Sequence, residues 1–187
     1  ICRRNGVGSL AFRGLEWMTA AREEDRSQRS EVRSVIADML AGLREMHYAN
    51  AARSAWLGDH AVRIAGWFGE AGIRAATFKG PVLAGQLYGD DAMRQATDLD
   101  FIVHADDLVR ARDLLAGRGF RSQQSMTDFE DGIWRGAGWG YDMSSPDTGL
   151  TVDIAAGASP DYLPFRLDSD AVWRETRVTG FRGGEVR

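Results

Sequence analysis

Apolar residues recur along the chain first with helical spacing and then with strand-like spacing. From Glu31 they return every three or four positions, which places them on one face of a helix. This first stripe consists of Val32, Val35, Ile36, Met39, Leu40, Leu43 and Met46. A second stripe predicts another helix, which ends at the glycines at 69 and 72. It consists of Trp56, Leu57, Ala61, Ile64, Ala65 and Phe68. Both helices are expected to be scaffold.

Short strands and helices alternate after the second helix. Residues 75–79 have strand character, and Gly80-Pro81 opens a helix that Gly89 ends. Proline suits a first helical turn because the N–H that it lacks would be unpaired there. Residues 98–103 predict a second strand. Residues 105–116 predict a helix whose inward residues are Leu108, Ala111, Leu114 and Leu115.

Residues 133–144 and 150–156 predict two strands, joined into a hairpin by the turn residues 145–149. Gly136, Gly138 and Gly140 alternate along the first of them. One face of that strand would then carry no side chains, either to admit a substrate or because the strand is twisted or bulged. The order of elements predicts an α/β (α+β) fold with a small mixed sheet flanked by helices.

The predicted organisation is an N-terminal helical arm and one domain. Residues 1–30 mix arginine, glycine and a charged run without sustained periodicity, so we expect a loosely packed arm that holds at most a short helix. Residues 31–187 form the domain, with a helical pair at 31–72, an α/β core at 73–156 and a C-terminal extension at 157–187. The arm helices offer a surface on which two copies can pair as a homodimer.

Composition narrows the class of protein. With 187 residues the chain has room for one core, and a net charge of −4 disfavours binding to duplex nucleic acid or to an anionic membrane. No segment approaches the ~18 apolar residues of a membrane span. Cys2 is the only cysteine, so the cytoplasm is the expected compartment. The first residue is isoleucine, which suggests a fragment or a processed chain.

Asp98-Leu99-Asp100 carries the sharpest chemical signal. Strand side chains alternate, so Asp98 and Asp100 share one face, and the apolar residues at 99, 101 and 103 point to the core. Two close carboxylates repel unless a cation such as Mg²⁺ lies between them, although two solvated caps are the alternative. In this chain the apolar strand follows the aspartate pair. In haloacid-dehalogenase phosphatases and many glycosyltransferases the apolar strand comes before the pair, so these two classes are disfavoured. Asp153 can complete a three-carboxylate, two-metal site.

Two basic residues lie near this pair. Lys79 is the only lysine beside 22 arginines, which favours a specific role over a solvated strand-end charge. Arg94 can contact phosphate or pair with one of the acidic residues at 90 and 91. The acidic pairs at 90–91 and 106–107 are expected to cap helix starts. The three histidines show no metal-ligand spacing.

The stretch FKGPVLAGQLYGDDAMRQATDLDFIVHADDLVRARDLLAGRGFR, residues 78–121, resembles an uncharacterised nucleotidyltransferase family of the DNA-polymerase-beta-like superfold. The shared pattern is Lys-Gly, a helix with Leu-Tyr, an arginine, Asp-Leu-Asp before an apolar strand, and a helix that ends at Gly-Phe. With the preceding helix and the later Val-Asp, the resemblance covers residues 35–156.

The resemblance implies a nucleotidyltransferase fold that transfers a nucleoside monophosphate from an NTP to a hydroxyl and releases pyrophosphate. It assigns Asp98 and Asp100 to catalytic Mg²⁺ or Mn²⁺ and Asp153 to the metal that activates the acceptor hydroxyl. Lys79 and Gly80 fall in the phosphate-contacting turn, with Arg94 beside it. Similar members are often encoded near lasso-peptide or polysaccharide pathways, so a peptide, a sugar or a small molecule is the expected acceptor.

Three departures from the family pattern keep a second function open. Lys79-Gly80 replaces the Gly-Gly or Gly-Ser of the wider superfold. Ile-Ala-Ala-Gly follows Asp153 where a histidine and a tryptophan are usual. The chain also ends where a helical C-terminal region would begin. The alternative is a non-catalytic nucleotidyltransferase-fold module, such as an antitoxin or accessory subunit, that binds a nucleotide or a protein.

Overall fold

A computed structural model describes residues 8–20, 30–157 and 169–187 of the protein. The helices are α1 (Gly8–Ala20), α2 (Ser30–Glu70), α3 (Gly80–Tyr88), α4 (Leu108–Gly117), α5 (Asp128–Gly136) and α6 (Ser169–Glu175). The strands are β1 (Ala75–Thr77), β2 (Leu99–Val103), β3 (Arg121–Ser122), β4 (Tyr141–Ser144), β5 (Thr151–Ala155), β6 (Thr179–Phe181) and β7 (Gly184–Val186). The predicted mixture of helices around a small sheet is confirmed.

The main sheet has five strands in the order β1-β2-β5-β4-β3. β2 is antiparallel to β1 and parallel to β5, and β4 is antiparallel to both β5 and β3. The sheet is therefore mixed, as predicted. The parallel pairing of β2 with β5 brings together the starts of two strands that lie about fifty residues apart in the chain.

A single continuous helix of 41 residues, α2, replaces the predicted pair of helices. The prediction of a break is wrong because the joining segment, His-Tyr-Ala-Asn-Ala-Ala-Arg-Ser-Ala, contains neither glycine nor proline and is rich in alanine, the strongest helix former. The second apolar stripe is the one that enters the core, with Leu57 and Ile64 at 0% exposure and Trp56 and Ala65 partly buried. Val35 and Met39 of the first stripe are 58% and 52% exposed.

The core lies between the second half of α2, one face of the sheet, and α4. Phe68 of α2 packs edge-to-face on Phe101 of β2, with ring centroids 5.4 Å apart. Leu108, Ala111 and Leu115 of α4 belong to the same core, in agreement with the predicted inward face. The predicted helix 105–116 begins with a 3₁₀ turn at Ala105–Asp107 before α4.

The two acidic pairs differ in their roles. Asp90 caps a 3₁₀ turn by accepting the Ala92 N–H at 2.9 Å. Asp107 makes no side-chain cap; it is buried and accepts from the Arg74 N–H at 3.1 Å and from Arg110 at 2.5 Å. Hydrogen bonds to Arg74 and Arg110 outweigh the effect of burial and lower the pKa of Asp107. Capping is therefore correct for Asp90 and wrong for Asp107.

Helix α5 covers the first four residues, 133–136, of the segment predicted as a long strand. Thr127 and Glu130 form a reciprocal capping box, which starts a helix at Asp128. Asp131 then accepts hydrogen bonds from Arg112 at 3.1 Å and from the Tyr141 hydroxyl, and these bonds fasten α5 to α4 and β4. Residues 133–140 are therefore not a strand, and only 141–144 of the predicted range is. Gly136 and Gly138 lie on no sheet face.

Gly140 is the one alternating glycine that packing requires. A Cβ there would overlap the carbonyl oxygen of Ile154 and crowd the backbone of Ala155, whereas a Cβ on Gly136 would meet nothing. We expect Gly140→Ala to destabilise the protein by about 2 kcal/mol, because the backbone of β4 must shift. Gly136→Ala should change stability by less than about 0.5 kcal/mol. Urea denaturation of both variants tests this, and equal midpoints would contradict it.

The C-terminal hairpin and the N-terminal helix both pack on α2. Arg182, in the turn between β6 and β7, donates to Asp59 of α2 at 2.7 Å and to Asp91 at 3.0 Å. Within the predicted arm, Phe12 of α1 stacks on His47 at 5.2 Å. Residues 1–7 and 21–29 of that arm, and 158–168 of the extension, lie outside the described residues. None of the described helices has both the length and the apolar character that crossing a membrane requires.

Candidate active site

The carboxylates predicted for β2 lie on the sheet face opposite the core. Leu99, Phe101 and Val103 are buried at 3%, 1% and 0% exposure, as their alternation predicted. Asp98 and Asp100 alternate with them, and both are partly exposed. The hydrophobic residues therefore fix the direction of both carboxylates, because a shift of one position would bury them.

Asp153 lies directly beside Asp100. Parallel pairing of β2 with β5 sets Asp100 opposite Asp153 in register. Neighbouring strands are about 4.8 Å apart, so these two side chains leave the same face of the sheet as neighbours. Val152 and Ile154 are buried on the other face. The structure thus brings together the three carboxylates that the sequence pattern singled out.

A fourth carboxylate, Asp142, was missed. It pairs with Asp153 in the β4–β5 register, so the residues Asp100, Asp153 and Asp142 form a row across three strands. Gln124 donates to an Asp142 oxygen at 2.8 Å and accepts the Asp142 N–H at 3.3 Å. Part of the signal was present in the sequence, because Asp142 separates two apolar residues, Tyr141 and Met143, in a segment predicted as a strand. The predicted turn at 145–149 would pair position 142 with 152, and the observed register differs by one residue, which brings Asp142 opposite Asp153.

The electrostatics of this row are unfavourable for a chain without a bound cation. Partial burial, followed by the charges of Asp142, Asp98 and Asp100 and a hydrogen bond with Asp142, raises the pKa of Asp153 to about 6. The carboxylates are thus close enough to oppose one another's ionisation. A positive charge placed among them would relieve this repulsion.

Asp153→Asn is expected to stabilise the metal-free protein at neutral pH. A carboxyl whose pKa rises from 3.8 to about 6 on folding holds its proton more tightly in the folded state. Its contribution to stability therefore falls as the pH rises from about 4 to about 6 and stays low above that range. Asparagine removes this penalty, which is on the order of 1 kcal/mol after allowance for solvent screening.

Chemical denaturation with a chelator present, at pH 7 and at pH 4, measures this effect. We expect Asp153→Asn to be more stable than wild type at pH 7 and close to it at pH 4. Asp147→Asn, which changes an exposed aspartate of the β4–β5 turn in the same way, should match wild type at both values. An Asp153→Asn variant less stable than wild type at pH 7 would contradict the repulsion.

Lys79 and Gly80 lie at the junction of β1 and α3, next to the carboxylates. Lys79 Nζ donates to Asp100 Oδ1 at 2.9 Å and lies 4.6 Å from the Phe78 ring centroid. Gly80 adopts a φ of +67°, a left-handed conformation that glycine takes without strain. The glycine thereby makes the sharp turn from strand to helix at which α3 begins, beside the Asp98 backbone.

Arg94 is exposed on the loop that enters β2. Its suggested partners are engaged elsewhere, because Asp90 pairs with Arg13 at 3.5 Å and Asp91 with Arg182 at 3.0 Å. Among the described residues Arg94 forms no ion pair with Asp90 or Asp91, and its contact with phosphate stays a prediction. Two residues of α2, Asn50 and Arg53, bind this loop through its backbone carbonyls. The bonds run from Asn50 Nδ2 to the Ala92 carbonyl at 2.5 Å and from Arg53 to the Thr97 carbonyl at 2.6 Å.

Hard oxygen donors make this row chemically suited to a divalent cation. Carboxylates are the ligands that Mg²⁺ and Mn²⁺ prefer, and the raised pKa of Asp153 shows that the charges interact. In the described ranges, no three His, Cys, Asp or Glu side chains already stand in a metal-holding arrangement. Lys79 holds one oxygen of Asp100. The chemistry of the donors therefore suits such an ion, although the side chains are not arranged around one in this structure.

One of three comparisons with known proteins found a match. A family model described as "Uncharacterised nucleotidyltransferase" matches residues 1–187, the whole chain. No curated protein and no solved structure matches it.

Proposed function

The chain belongs to the family of uncharacterised nucleotidyltransferases, and on that premise we propose that it transfers a nucleoside monophosphate from an NTP to a hydroxyl acceptor. The observation that carries the proposal is the register of Asp100 with Asp153, beside the lysine of the β1–α3 turn. The acceptor class that we propose is a peptide, a sugar or another small molecule.

In the proposed reaction, the acceptor oxygen forms a bond to the α-phosphorus of the NTP. The bond from that phosphorus to the oxygen bridging to the β-phosphate breaks, the hydroxyl proton is released, and pyrophosphate leaves with the bond's electron pair. Phosphoryl-type transfer needs little covalent chemistry from the protein, so the site acts mainly by positioning the reactants and neutralising their charge. Nucleotidyl transfer is therefore compatible with a site made of carboxylates and one lysine.

Asp98, Asp100 and Asp153 would hold Mg²⁺ or Mn²⁺, which supplies charge neutralisation and lowers the pKa of a bound hydroxyl. Lys79 would neutralise phosphate charge, and the Gly80 turn would let phosphate oxygens approach the N-terminal N–H groups of α3. Arg94 would add a second phosphate contact. Asp142 faces Asp153 and would orient it towards the acceptor side.

A non-catalytic nucleotide-binding module is the second candidate. It is favoured by the finding that no three acidic or histidine side chains in the described part of the chain are already arranged around a metal. This candidate predicts nucleotide binding without pyrophosphate release.

Calorimetric titration of Mg·ATP and Mg·CTP tests the proposal. We expect the wild-type chain to bind at least one of them, with loss of binding in a chelator and in Asp98→Asn/Asp100→Asn. Release of labelled pyrophosphate, with water or an added hydroxyl compound as acceptor, then separates the enzyme from the binding module. Absence of binding at millimolar nucleotide would overturn both.

A further inference from the structure

A cleft of about 390 Å³ lies between α1, α2 and the loop that enters β2. Pockets for small molecules usually measure ~300–1,000 Å³, so this one suits a single nucleoside-sized group. The described residues that line it include Met46, Ala49, Asn50, Arg53, Gln95 and Thr97. We refer to it below as the α2 cleft.

The α2 cleft adjoins the carboxylates on the side of Asp98. Thr97 lines the cleft and precedes Asp98 in the chain, and its hydroxyl lies 3.3 Å from an Asp98 oxygen. Gly80, at the start of α3, packs on the backbone of the same aspartate. None of the described lining residues comes from β4 or β5, the strands of Asp142 and Asp153. The cleft therefore lies beside Asp98 and the β1–α3 turn, where we place the phosphates (the phosphate side), and away from Asp142 and Asp153, where we place the acceptor (the acceptor side).

The chemistry of the lining suits a flat, polar, uncharged ring. Gln95 carries an amide, which offers both donors and acceptors to the edge of a base. Asn50 Nδ2 is already bound to the Ala92 carbonyl, so Asn50 offers its Oδ1 as an acceptor. Met46 and Ala49 supply apolar surface. Of the described lining residues none is a carboxylate, so nothing there repels a nucleotide.

Arg53 is fixed in position before any ligand arrives. Its guanidinium lies 4.5 Å from the Trp56 ring centroid and donates to the Thr97 carbonyl at 2.6 Å. A planar guanidinium held in this way offers the surface on which nucleobases stack in many nucleic-acid-binding proteins. Because it is already ordered, little conformational entropy is lost on binding.

We infer that the α2 cleft binds the nucleoside portion of the NTP, with Arg53 and Gln95 against the base. This inference rests on the proposed function and extends it, since it locates the base-recognition site. It also assigns a role to the middle of α2, where Met46, Ala49, Asn50 and Arg53 line the cleft.

The test compares Mg·NTP with Mg·tripolyphosphate, which has the triphosphate but no nucleoside. In wild type we expect the best of ATP, GTP, CTP and UTP to bind at least tenfold more tightly than tripolyphosphate. Ala49→Phe fills the cleft from an exposed helical position. It should reduce NTP affinity at least tenfold and leave tripolyphosphate affinity within twofold. Ala52→Phe, an exposed position of the same helix outside the cleft lining, should match wild type.

Gln95→Leu, a change in an exposed loop residue, provides a second test without added bulk. It should lower affinity for the preferred NTP at least threefold relative to tripolyphosphate and so flatten the base preference. The inference is overturned if Ala49→Phe and Ala52→Phe bind NTP equally well, or if wild type binds NTP no better than tripolyphosphate. If wild type binds neither compound, the proposed function fails, and the inference fails with it.

Discussion

Asp100→Asn is expected to slow pyrophosphate release from bound Mg·NTP by about a thousandfold, which corresponds to ~4 kcal/mol of transition-state stabilisation. Asparagine keeps the shape of the side chain and removes its charge. Asp100 stands between Lys79 and Asp153 in the cross-strand row, so this charge faces both the phosphate side and the acceptor side. The measurement is single-turnover release of labelled pyrophosphate under saturating nucleotide.

Two controls distinguish a lost site from a lost fold. Asp147→Asn makes the same chemical change in the exposed β4–β5 turn and should release pyrophosphate at the wild-type rate. The unfolding temperature of Asp100→Asn itself should lie no more than a few degrees below that of wild type. The reason is that the substitution removes a charge that opposes the ionisation of Asp153. A folded Asp100→Asn protein with a wild-type rate would exclude Asp100 from the chemistry.

Local patterns in the sequence predicted β2 and its two faces well. Alternation places Leu99, Phe101 and Val103 in the core, and it thereby places Asp98 and Asp100 on the opposite face before any partner is known. The turn residues of the β4–β5 hairpin likewise predict that its two strands pair, although the observed register differs by one residue. Both features depend on interactions between residues that are near one another in the chain.

The extent of α2 and the identity of α5 were predicted less well, for different reasons. Two apolar stripes suggested two helices, although the joining segment lacks glycine and proline and is rich in alanine, which favours one continuous helix. Which of the two stripes is buried depends on contact with the sheet, a tertiary property. For α5 the local signal was present: Thr127 and Glu130 have capping-box spacing. The alternating glycines that follow resemble a strand pattern, which is why a strand was predicted there instead of a helix.

The residues that hold the loop before β2 could not be predicted from local patterns. Asn50 and Arg53 bind backbone carbonyls more than forty positions away, so their role follows only from the packing of α2. Neither has a motif of its own. The α2 cleft is lined by these same residues, which is why the site for a nucleoside emerges only from the three-dimensional arrangement.

Lys79→Met is expected to reduce pyrophosphate release about a hundredfold, or ~2.7 kcal/mol, with little change in stability. Methionine keeps the length of the side chain and removes its charge. The ion pair with Asp100 involves a lysine side chain that is 46% exposed, and such pairs contribute at most about 1 kcal/mol to folding. A large kinetic effect therefore indicates interaction with the triphosphate, whereas a purely structural lysine would change stability alone.

Matched variants test whether Lys79 contacts the triphosphate. Lys79→Arg keeps a positive charge at the β1–α3 turn and should retain Mg·tripolyphosphate affinity within about tenfold, whereas Lys79→Met should lose more. Arg63→Met removes a charge from an exposed position of α2 and should bind tripolyphosphate as wild type does. If Lys79→Met and Arg63→Met bind it equally, the lone lysine makes no phosphate contact. Phosphate binding would then depend on the Gly80 turn and Arg94. The nucleotide would also bind near Asp100 without breaking the ion pair between Asp100 and Lys79.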